Sequence, residues 1–196
     1  MKKIFAITIF AVLFICFTVD KNQPVVRSQI FFTNNDTAYV CLPCGYGCDT
    51  IVHDKPGMCG HCNMQLVDKK TIRFGSIDPN VLCSFIADVG KEKVVLLDVR
   101  TREEFTGKTP DKFGKLAGAI NIPVQVLPKR MKELQKYKDK EIVVYCSHSH
   151  RHRSPMASYL LMQNGFSRVT NMEYGMSEWK NKVKPDACNK KLYVKQ

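Results

Sequence analysis

The sequence has few acidic residues, with 18 Asp and Glu against 30 Lys and Arg, so its formal net charge is +12. A strongly basic protein suits anionic small molecules, nucleic acids or anionic membrane surfaces. The sequence also lacks interleaved basic and aromatic residues, and no recognisable nucleic-acid motif is present. We therefore expect anionic small-molecule partners and no nucleic-acid partner.

A hydrophobic run of full membrane-spanning length is also missing. The apolar stretch of residues 4–19 follows Lys2 and Lys3 and contains 16 residues, without a clear small-residue cleavage pattern after it. A comfortable membrane span needs roughly 20 residues. The pattern predicts a signal peptide or membrane anchor over residues 1–19 and a linker over residues 20–36. We expect the protein to be exported, periplasmic or tethered to a membrane through its N terminus.

Cysteines are concentrated in residues 37–70, which we interpret as a small metal-binding module. The segment contains two Cys-x-x-Cys knuckles, formed by Cys41, Cys44, Cys59 and Cys62. Each knuckle places two thiolates on one turn, and two knuckles supply the four soft ligands of a tetrahedral metal site. Such a site favours Zn(II) or Cu(I). Further donors within reach are Cys48, His53 and His61. Disulfides formed in an oxidising compartment are the alternative.

The module resembles the small heavy-metal-binding domains related to the YHS type. The similarity covers residues 39–67, with Pro56, Gly57, Cys59, Cys62, Met64 and Leu66 in step. Two positions depart from the family pattern. Cys44 stands where the family has histidine, and Asn63 replaces the glycine before Met64. The resemblance implies heavy-metal binding, and the extra thiolate at Cys44 favours softer metals.

A second chemical site is predicted around Cys146. This cysteine follows the apolar run 142–145, and Ser154 with Pro155 signals the start of a helix soon after it. Loop amides, a helix N terminus and nearby cations would favour the thiolate form there. The candidate catalytic residues are Cys146, Arg151 and Arg153. The candidate substrate-binding residues are Ser147, His148, Ser149, His150, His152 and Ser154. A cysteine-dependent phosphatase has a similar loop, and the spacing alone does not exclude a phosphatase.

The region after residue 70 alternates strands and helices. Apolar strands are predicted near 94–99, 142–145 and 169–172, with helices including 78–88 and 155–163. Continuous apolar strands separated by helices predict a mainly parallel sheet with helices on both faces, and a ligand site at the carboxyl ends of the strands. Asp98 interrupts an apolar strand, so we expect it to hold Arg100 or loop amides.

Five ordered motifs in this region resemble the signature of a rhodanese-like domain. They are Asp98-Val-Arg100-Thr-Arg-Glu-Glu-Phe105, Gly118-Ala-Ile-Asn-Ile-Pro123, Val144-Tyr-Cys146, Arg153-Ser154 and Asn171-Met-Glu-Tyr-Gly175 with Trp179. The resemblance implies an α/β domain, placed at 76–182 before a basic tail at 183–196. It also implies that Cys146 accepts sulfane sulfur as a persulfide from a small anionic donor such as thiosulfate. The acceptor would be a thiol or cyanide-like nucleophile, and no cofactor is needed for the transfer.

Departures from the common rhodanese pattern keep other functions open. The loop after Cys146 is two residues longer than usual, so either Arg151 or Arg153 takes the position of the loop arginine. Asp98 and Arg100 are expected to support the site as scaffold partners. The alternatives are a metal-handling protein with an idle rhodanese-like domain and a cysteine-dependent phosphatase or arsenate-reductase-like enzyme. Outside the two sites, Cys83 is expected in the core, and Cys188 in a solvated tail as an unimportant or resolving thiol.

Overall fold

The computed structural model describes residues 37–43, 45–148 and 152–196. The predictions made for residues 1–36 therefore lie outside the described residues. So do those made for Cys44, Ser149, His150 and Arg151. Within the described ranges, no helix is long and apolar enough to cross a membrane.

The secondary structure follows the predicted alternation of strands and helices. The strands are β1 (Tyr39–Val40), β2 (Val67–Asp68), β3 (Gly75–Ile77), β4 (Val94–Asp98), β5 (Lys115–Leu116), β6 (Ile120–Asn121), β7 (Glu141–Tyr145), β8 (Val169–Met172) and β9 (Tyr193–Val194). The helices are α1 (Leu82–Val89), α2 (Arg102–Thr106), α3 (Leu127–Leu134), α4 (Arg153–Gln163), α5 (Trp179–Lys182) and α6 (Ala187–Leu192).

A five-stranded parallel sheet forms the centre of the fold. Its strand order is β3-β8-β7-β4-β6, and every neighbouring pair in it is parallel. The two strands with the longest apolar runs, β4 and β7, pair over five residues, from Val94 opposite Glu141 to Asp98 opposite Tyr145. Parallel strands buried on both faces are expected to be apolar throughout. The predicted mainly parallel sheet is confirmed.

Helices cover both faces of this sheet, as predicted. Side chains of successive strand residues point to opposite faces, so Leu97 packs with α3 and α4 while Leu96 packs with α1 and α5. The Cys-rich segment lies on the first face, where Met64 and Leu66 belong to the same apolar cluster as Leu97. The segment from β1 to β2 is therefore packed directly onto this face of the sheet and shares its core.

Helix α4 begins two residues earlier than the sequence predicted. The expected cap was Ser154, but the residue before the helix is His152, in the left-handed region with φ 50°. The Ser154 hydroxyl instead donates to the Cys146 Sγ at 3.4 Å. Ser154 lies inside α4, so its hydroxyl contacts the Cys146 sulfur and does not cap the helix.

The C-terminal tail is folded, which corrects the prediction of a solvated end. Strand β9 pairs with β5, and the Tyr193 ring stacks on Trp179 with a centroid distance of 6.3 Å. A disulfide joins Cys188 of α6 to Cys83 of α1 across 105 residues. Cys83 was expected as a core thiol and Cys188 as an unimportant or resolving thiol. The disulfide attaches the tail to the face that carries α1.

A buried ion pair lies at the end of β4, as the sequence predicted for Asp98. The Arg100 Nη2 donates to Asp98 Oδ2 at 2.6 Å, and the Arg100 Nε donates to both carboxylate oxygens at 3.0 Å. Both side chains are almost fully buried. The same guanidinium donates to the Gly114 carbonyl at 2.9 Å, so the pair also holds the segment before β5.

We predict that Arg100→Met lowers the free energy of unfolding by about 3–5 kcal/mol, because it leaves the Asp98 carboxylate buried without its cation. Urea unfolding measures the change. The matched control is Arg130→Met, which removes an exposed pair with Glu133 and is expected to cost less than about 1 kcal/mol. Equal costs for the two variants would contradict a structural role for the buried pair.

Candidate active site and metal centre

Cys146 follows β7 directly, at the carboxyl edge of the parallel sheet. Its side chain is buried and makes two opposed hydrogen bonds. The Cys146 Sγ donates to the His148 carbonyl at 3.3 Å, and the Ser154 hydroxyl donates to the same sulfur at 3.4 Å. The first contact needs the thiol proton, whereas the second stabilises a negative sulfur. Ionisation of Cys146 would therefore lose the contact with His148 and strengthen the one with Ser154.

The segment after β8 packs against the start of the loop that follows β7, which we call the cysteine loop. Gly175 has φ 66°, and a Cβ at this position would come within 2.7 Å of the Cys146 and Ser147 carbonyl oxygens. The Met176 amide donates to the Cys146 carbonyl at 2.9 Å, and the Ser177 amide donates to the Ser147 carbonyl at 2.8 Å. Close packing and a left-handed backbone both require glycine here. The base of the cysteine loop is thus held by main-chain contacts.

Glu104 is a residue of this site that sequence reasoning missed. Arg153 Nη1 donates to Glu104 Oε2 to form an ion pair, and the Ser147 hydroxyl donates to Glu104 Oε1 at 3.4 Å. Glu104 also completes a capping box with Thr101 at the start of α2. The sequence pattern Thr-x-x-Glu signals that cap. It gives no sign that the carboxylate also reaches the loop that follows Cys146.

Opposing effects set the pKa of Glu104. Burial acts to raise this pKa, but hydrogen bonding to Arg153, the Thr101 amide and the Arg153 charge together hold it below its ordinary value of 4.5. The carboxylate is therefore ionised at neutral pH. Its negative charge offsets the positive charge of Arg153, so the Arg153 guanidinium is paired with a protein carboxylate.

The remaining predicted loop residues take several positions. The His148 ring meets Phe113 edge to face with centroids 4.7 Å apart. The His152 Nε2 lies 3.2 Å from the Cys62 carbonyl, away from the sulfur contacts described above. The structure brings Ser147, Arg153 and Ser154 together with Cys146. The functional roles assigned to these residues from the sequence stay predictions.

Four cysteines of the N-terminal segment form a compact cluster. They are Cys41, Cys48, Cys59 and Cys62, and their sulfur atoms all lie within 4.8 Å of one another. The Cys41 and Cys62 sulfur atoms are 3.6 Å apart and not bonded. Tetrahedral zinc with Zn–S bonds near 2.3 Å separates its sulfurs by about 3.8 Å. The donor type and the cluster size therefore fit one soft metal ion.

Two local turns assemble this cluster. The Asn63 amide donates to the Cys59 carbonyl and the Cys59 amide donates to the Met64 carbonyl, which folds the second knuckle into a tight turn. Asn63 has φ 56°, a conformation that asparagine tolerates. A short 3-10 helix, Gly47–Thr50, carries Cys48 into the cluster. Cys44, the predicted fourth ligand, lies outside the described residues, and Cys48 is one of the four clustered thiols.

The thiols differ in how readily they ionise. Amide donation from Cys62 is the main cause that lowers the pKa of Cys59 to about 6. Burial is the main cause that raises the pKa of Cys48 to about 11, and burial with the neighbouring thiols also raises the pKa of Cys41. Four thiolates in one small volume need a cation to offset their repulsion. The cluster therefore has donors that could bind a metal cation.

Comparison with known proteins identifies the family of this fold. The profile of the rhodanese-like domain matches residues 84–182. The chain belongs to the rhodanese-like family. A protein named sulfurtransferase from Allochromatium vinosum is 36% identical to the rhodanese-like chain over 104 residues, which are 53% of this chain and 85% of that protein.

Two further relatives differ more in length or structure. A tRNA uridine(34) hydroxylase from Cronobacter sakazakii is 33% identical over 94 residues, covering 46% of this chain and only 25% of the hydroxylase. The crystal structure of a rhodanese-related protein from Thermoplasma volcanium is 29% identical, with a TM-score of 0.42, and the match covers 55% of this chain and 92% of that one.

We predict that Glu104→Gln destabilises the rhodanese-like domain by about 1.5–3 kcal/mol at neutral pH, because it removes a charge-assisted hydrogen bond to Arg153. The native pKa of Glu104 is depressed, so its contribution is present above pH 4.5 and is lost as the pH falls through the native value. Urea unfolding of both proteins at several pH values measures this. A difference that stays constant on acidification would contradict the assignment.

We predict that Cys48 is a metal ligand, so Cys48→Ser weakens Zn(II) binding more than about 100-fold. Loss of an outer-shell partner alone costs about 10–100-fold, and loss of a ligand costs more. Competition with a chromophoric chelator gives the affinity. Cys146→Ser removes a buried thiol outside the cluster and is the matched control, expected to change the affinity less than about 10-fold. Full affinity in Cys48→Ser would contradict the assignment of Cys48.

Proposed function

We propose that the protein is a sulfurtransferase that carries sulfane sulfur as a persulfide on Cys146. The observation that carries this proposal is a buried cysteine at the carboxyl edge of the rhodanese-like sheet, with the Ser154 hydroxyl donating to its sulfur. The similarity to a named sulfurtransferase over 85% of that protein's length supports the same chemistry. The proposed donor is a small sulfur anion such as thiosulfate, attracted by the positive net charge.

The proposed reaction has two displacement steps. The Cys146 thiolate attacks the outer sulfur of thiosulfate, a new S–S bond forms, and sulfite leaves with the electron pair of the broken bond. A thiolate or cyanide then attacks the terminal sulfur of the persulfide. The Cys146 thiolate leaves with the electron pair and is ready for the next cycle. No external oxidant or reductant is required.

The protein residues contribute by stabilising negative charge on sulfur. The Ser154 hydroxyl donates to Cys146 Sγ in the thiol form and would bind the thiolate more strongly. The proton that Cys146 shares with the His148 carbonyl must leave before attack. Amides at the start of α4 and the predicted cation Arg151 would add to the stabilisation. Glu104 holds Arg153 at the side of the loop.

A second proposed role is binding of one soft metal ion by the cysteine cluster. The mutual distances within 4.8 Å and the four sulfur donors support Zn(II) or Cu(I). Cys41, Cys48, Cys59 and Cys62 would hold the ion, which would supply structural cross-linking of two turns. No step of the sulfur transfer passes through this ion.

Export to an oxidising compartment is also proposed. The short apolar run after Lys2 and Lys3 supports it. The disulfide between Cys83 and Cys188 supports it as well, because such bonds persist in secreted and periplasmic proteins and are rare in the cytosol. Retention at a membrane through residues 1–19 remains the alternative to cleavage of this segment.

The experiment that tests the sulfurtransferase proposal is intact mass of the protein after incubation with thiosulfate. We predict a gain of one sulfur atom that is absent in Cys146→Ser and is removed by cyanide as thiocyanate. We also predict that Ser154→Ala slows the gain by about 10-fold or more, since a hydrogen bond to a charged group contributes about 1.5–3 kcal/mol. No gain from thiosulfate or from a polysulfide would overturn the proposal.

An aryl phosphate assay separates this function from a cysteine-dependent phosphatase. The same protein preparation is used for both measurements, with Cys146→Ser as the control. Turnover of the phosphate that depends on Cys146, together with no sulfur gain, would replace the sulfurtransferase proposal by the phosphatase one.

A further inference from the structure

The Cys-rich segment touches the catalytic loop through a side chain that neither site accounts for. The His152 Nε2 lies 3.2 Å from the carbonyl oxygen of Cys62, one of the clustered cysteines. A carbonyl only accepts hydrogen bonds, so Nε2 carries the proton in this contact. The Tyr46 ring meets the His152 ring edge to face with centroids 6.4 Å apart. His152 is therefore held on two sides by the Cys-rich segment.

The backbone at His152 makes this contact significant for the active site. His152 has φ 50° and immediately precedes α4, whose second residue is Ser154. A non-glycine residue in the left-handed region costs roughly 1 kcal/mol, so surrounding contacts must maintain it. The side chain that the Cys62 carbonyl holds thus sits two residues before the hydroxyl that donates to Cys146.

The Cys-rich segment also contacts β8 and the residues next to Gly175, which pack against the start of the cysteine loop. The Asn171 side-chain amide of β8 donates to the Pro43 carbonyl at 3.0 Å. Gly45 packs closely against the Tyr174 ring. Tyr174 precedes Gly175, the residue that lies against the Cys146 and Ser147 carbonyls. The same segment therefore contacts both the helix start and the glycine support around Cys146.

A cavity of about 540 Å³ lies beside the contact between Cys62 and His152. Its lining includes residues of the cluster and of the loop: Tyr46, Cys48, Ile51, His61, Cys62 and His152. Cys62 is half-buried, whereas Cys41, Cys48 and Cys59 are buried. Cys62 of the cluster and His152 before α4 therefore both line this cavity, in addition to their direct contact.

We propose that His152 is a positioning residue that couples metal occupancy of the cysteine cluster to the reactivity of Cys146. Ligation of the metal by Cys62 fixes its turn and hence its carbonyl. The carbonyl holds the His152 ring, which keeps the left-handed backbone before α4 and aims the Ser154 hydroxyl at the Cys146 sulfur. The inference rests on the proposed function only in taking Cys146 as the nucleophile. Coupling of this kind is reciprocal, so chemical change at Cys146 also alters metal binding.

The test measures the rate at which iodoacetamide alkylates Cys146 in the full chain, with mass spectrometry of the Cys146 peptide. For each protein, the alkylation rate in the presence of one equivalent of Zn(II) is compared with the rate after a chelator has removed the metal. We expect a change of about 5-fold or more in the native protein. We expect less than about 2-fold in His152→Ala, which lacks the donor to the Cys62 carbonyl.

Two control variants separate positioning from general stability. His152→Gln places an amide donor within reach of the same carbonyl and is expected to restore the metal effect. Tyr159→Phe removes the 2.8 Å hydroxyl contact between Tyr159 of α4 and Thr71, a link to the N-terminal segment that bypasses His152. It is expected to keep the metal effect. Loss of the effect in Tyr159→Phe, or its persistence in His152→Ala, would overturn the proposal.

A second measurement uses protein in which Cys146 is alkylated while the metal protects the clustered thiols. The Zn(II) affinity of this protein and of unalkylated protein is measured by competition with a chromophoric chelator. We expect alkylation to change the affinity by about 5-fold or more in the native protein and not in His152→Ala. Unchanged affinity in the native protein, or a chain that binds no metal, would overturn the coupling.

These measurements need no sulfur donor, so they are independent of the thiosulfate experiment. A protein that shows the coupling but gains no sulfur keeps the positioning role of His152 and loses the sulfurtransferase proposal. If the protein gains sulfur and its alkylation rate is the same with and without metal, the sulfurtransferase proposal stands and the coupling is wrong.

Discussion

The buried ion pair of Asp98 and Arg100 is the constraint around which the carboxyl edge of the sheet is arranged. An arginine does not lose its charge at any working pH, so a buried guanidinium must find acceptors in fixed positions. Asp98 supplies both carboxylate oxygens, and the Gly114 carbonyl supplies a third acceptor. The Asn121 side chain donates to the Asp98 and Arg100 carbonyls, which adds β6 to the same network. The ends of β4 and β6 and the segment before β5 are thereby fixed relative to one another.

This fixed edge determines where Cys146 can lie. Asp98 pairs in register with Tyr145, the residue before the cysteine, and the Tyr145 hydroxyl accepts from the Leu116 amide at 3.2 Å. The cysteine backbone is thus restrained from the strand side by a pattern that tolerates little movement. Its loop side depends instead on Gly175 and on the helix start at His152. In the proposed transfer, the strand would hold the Cys146 backbone in place while the sulfur gains and loses a second sulfur atom.

Local sequence patterns predicted the parts of the structure that local physics determines. Apolar runs identified β4 and β7, and an acidic residue in an apolar strand predicted that Asp98 would hold Arg100 or loop amides. Contacts that join distant segments were missed for a different reason. The disulfide of Cys83 with Cys188 spans 105 residues, and no spacing rule relates such a pair. Glu104 was missed because its capping role explains its presence, although the tertiary fold also brings it to Arg153.

The two cysteine populations of the chain place opposite demands on one compartment. Cys83 and Cys188 are oxidised, whereas Cys41 and Cys62 have free sulfurs only 3.6 Å apart. An environment that maintains the disulfide would also oxidise neighbouring thiolates, since exchange proceeds by thiolate attack. A bound soft metal removes this conflict, because coordinated thiolates are less available as nucleophiles. The proposals of export and of metal binding therefore depend on each other: an exported chain needs the metal to keep its cluster reduced beside a disulfide.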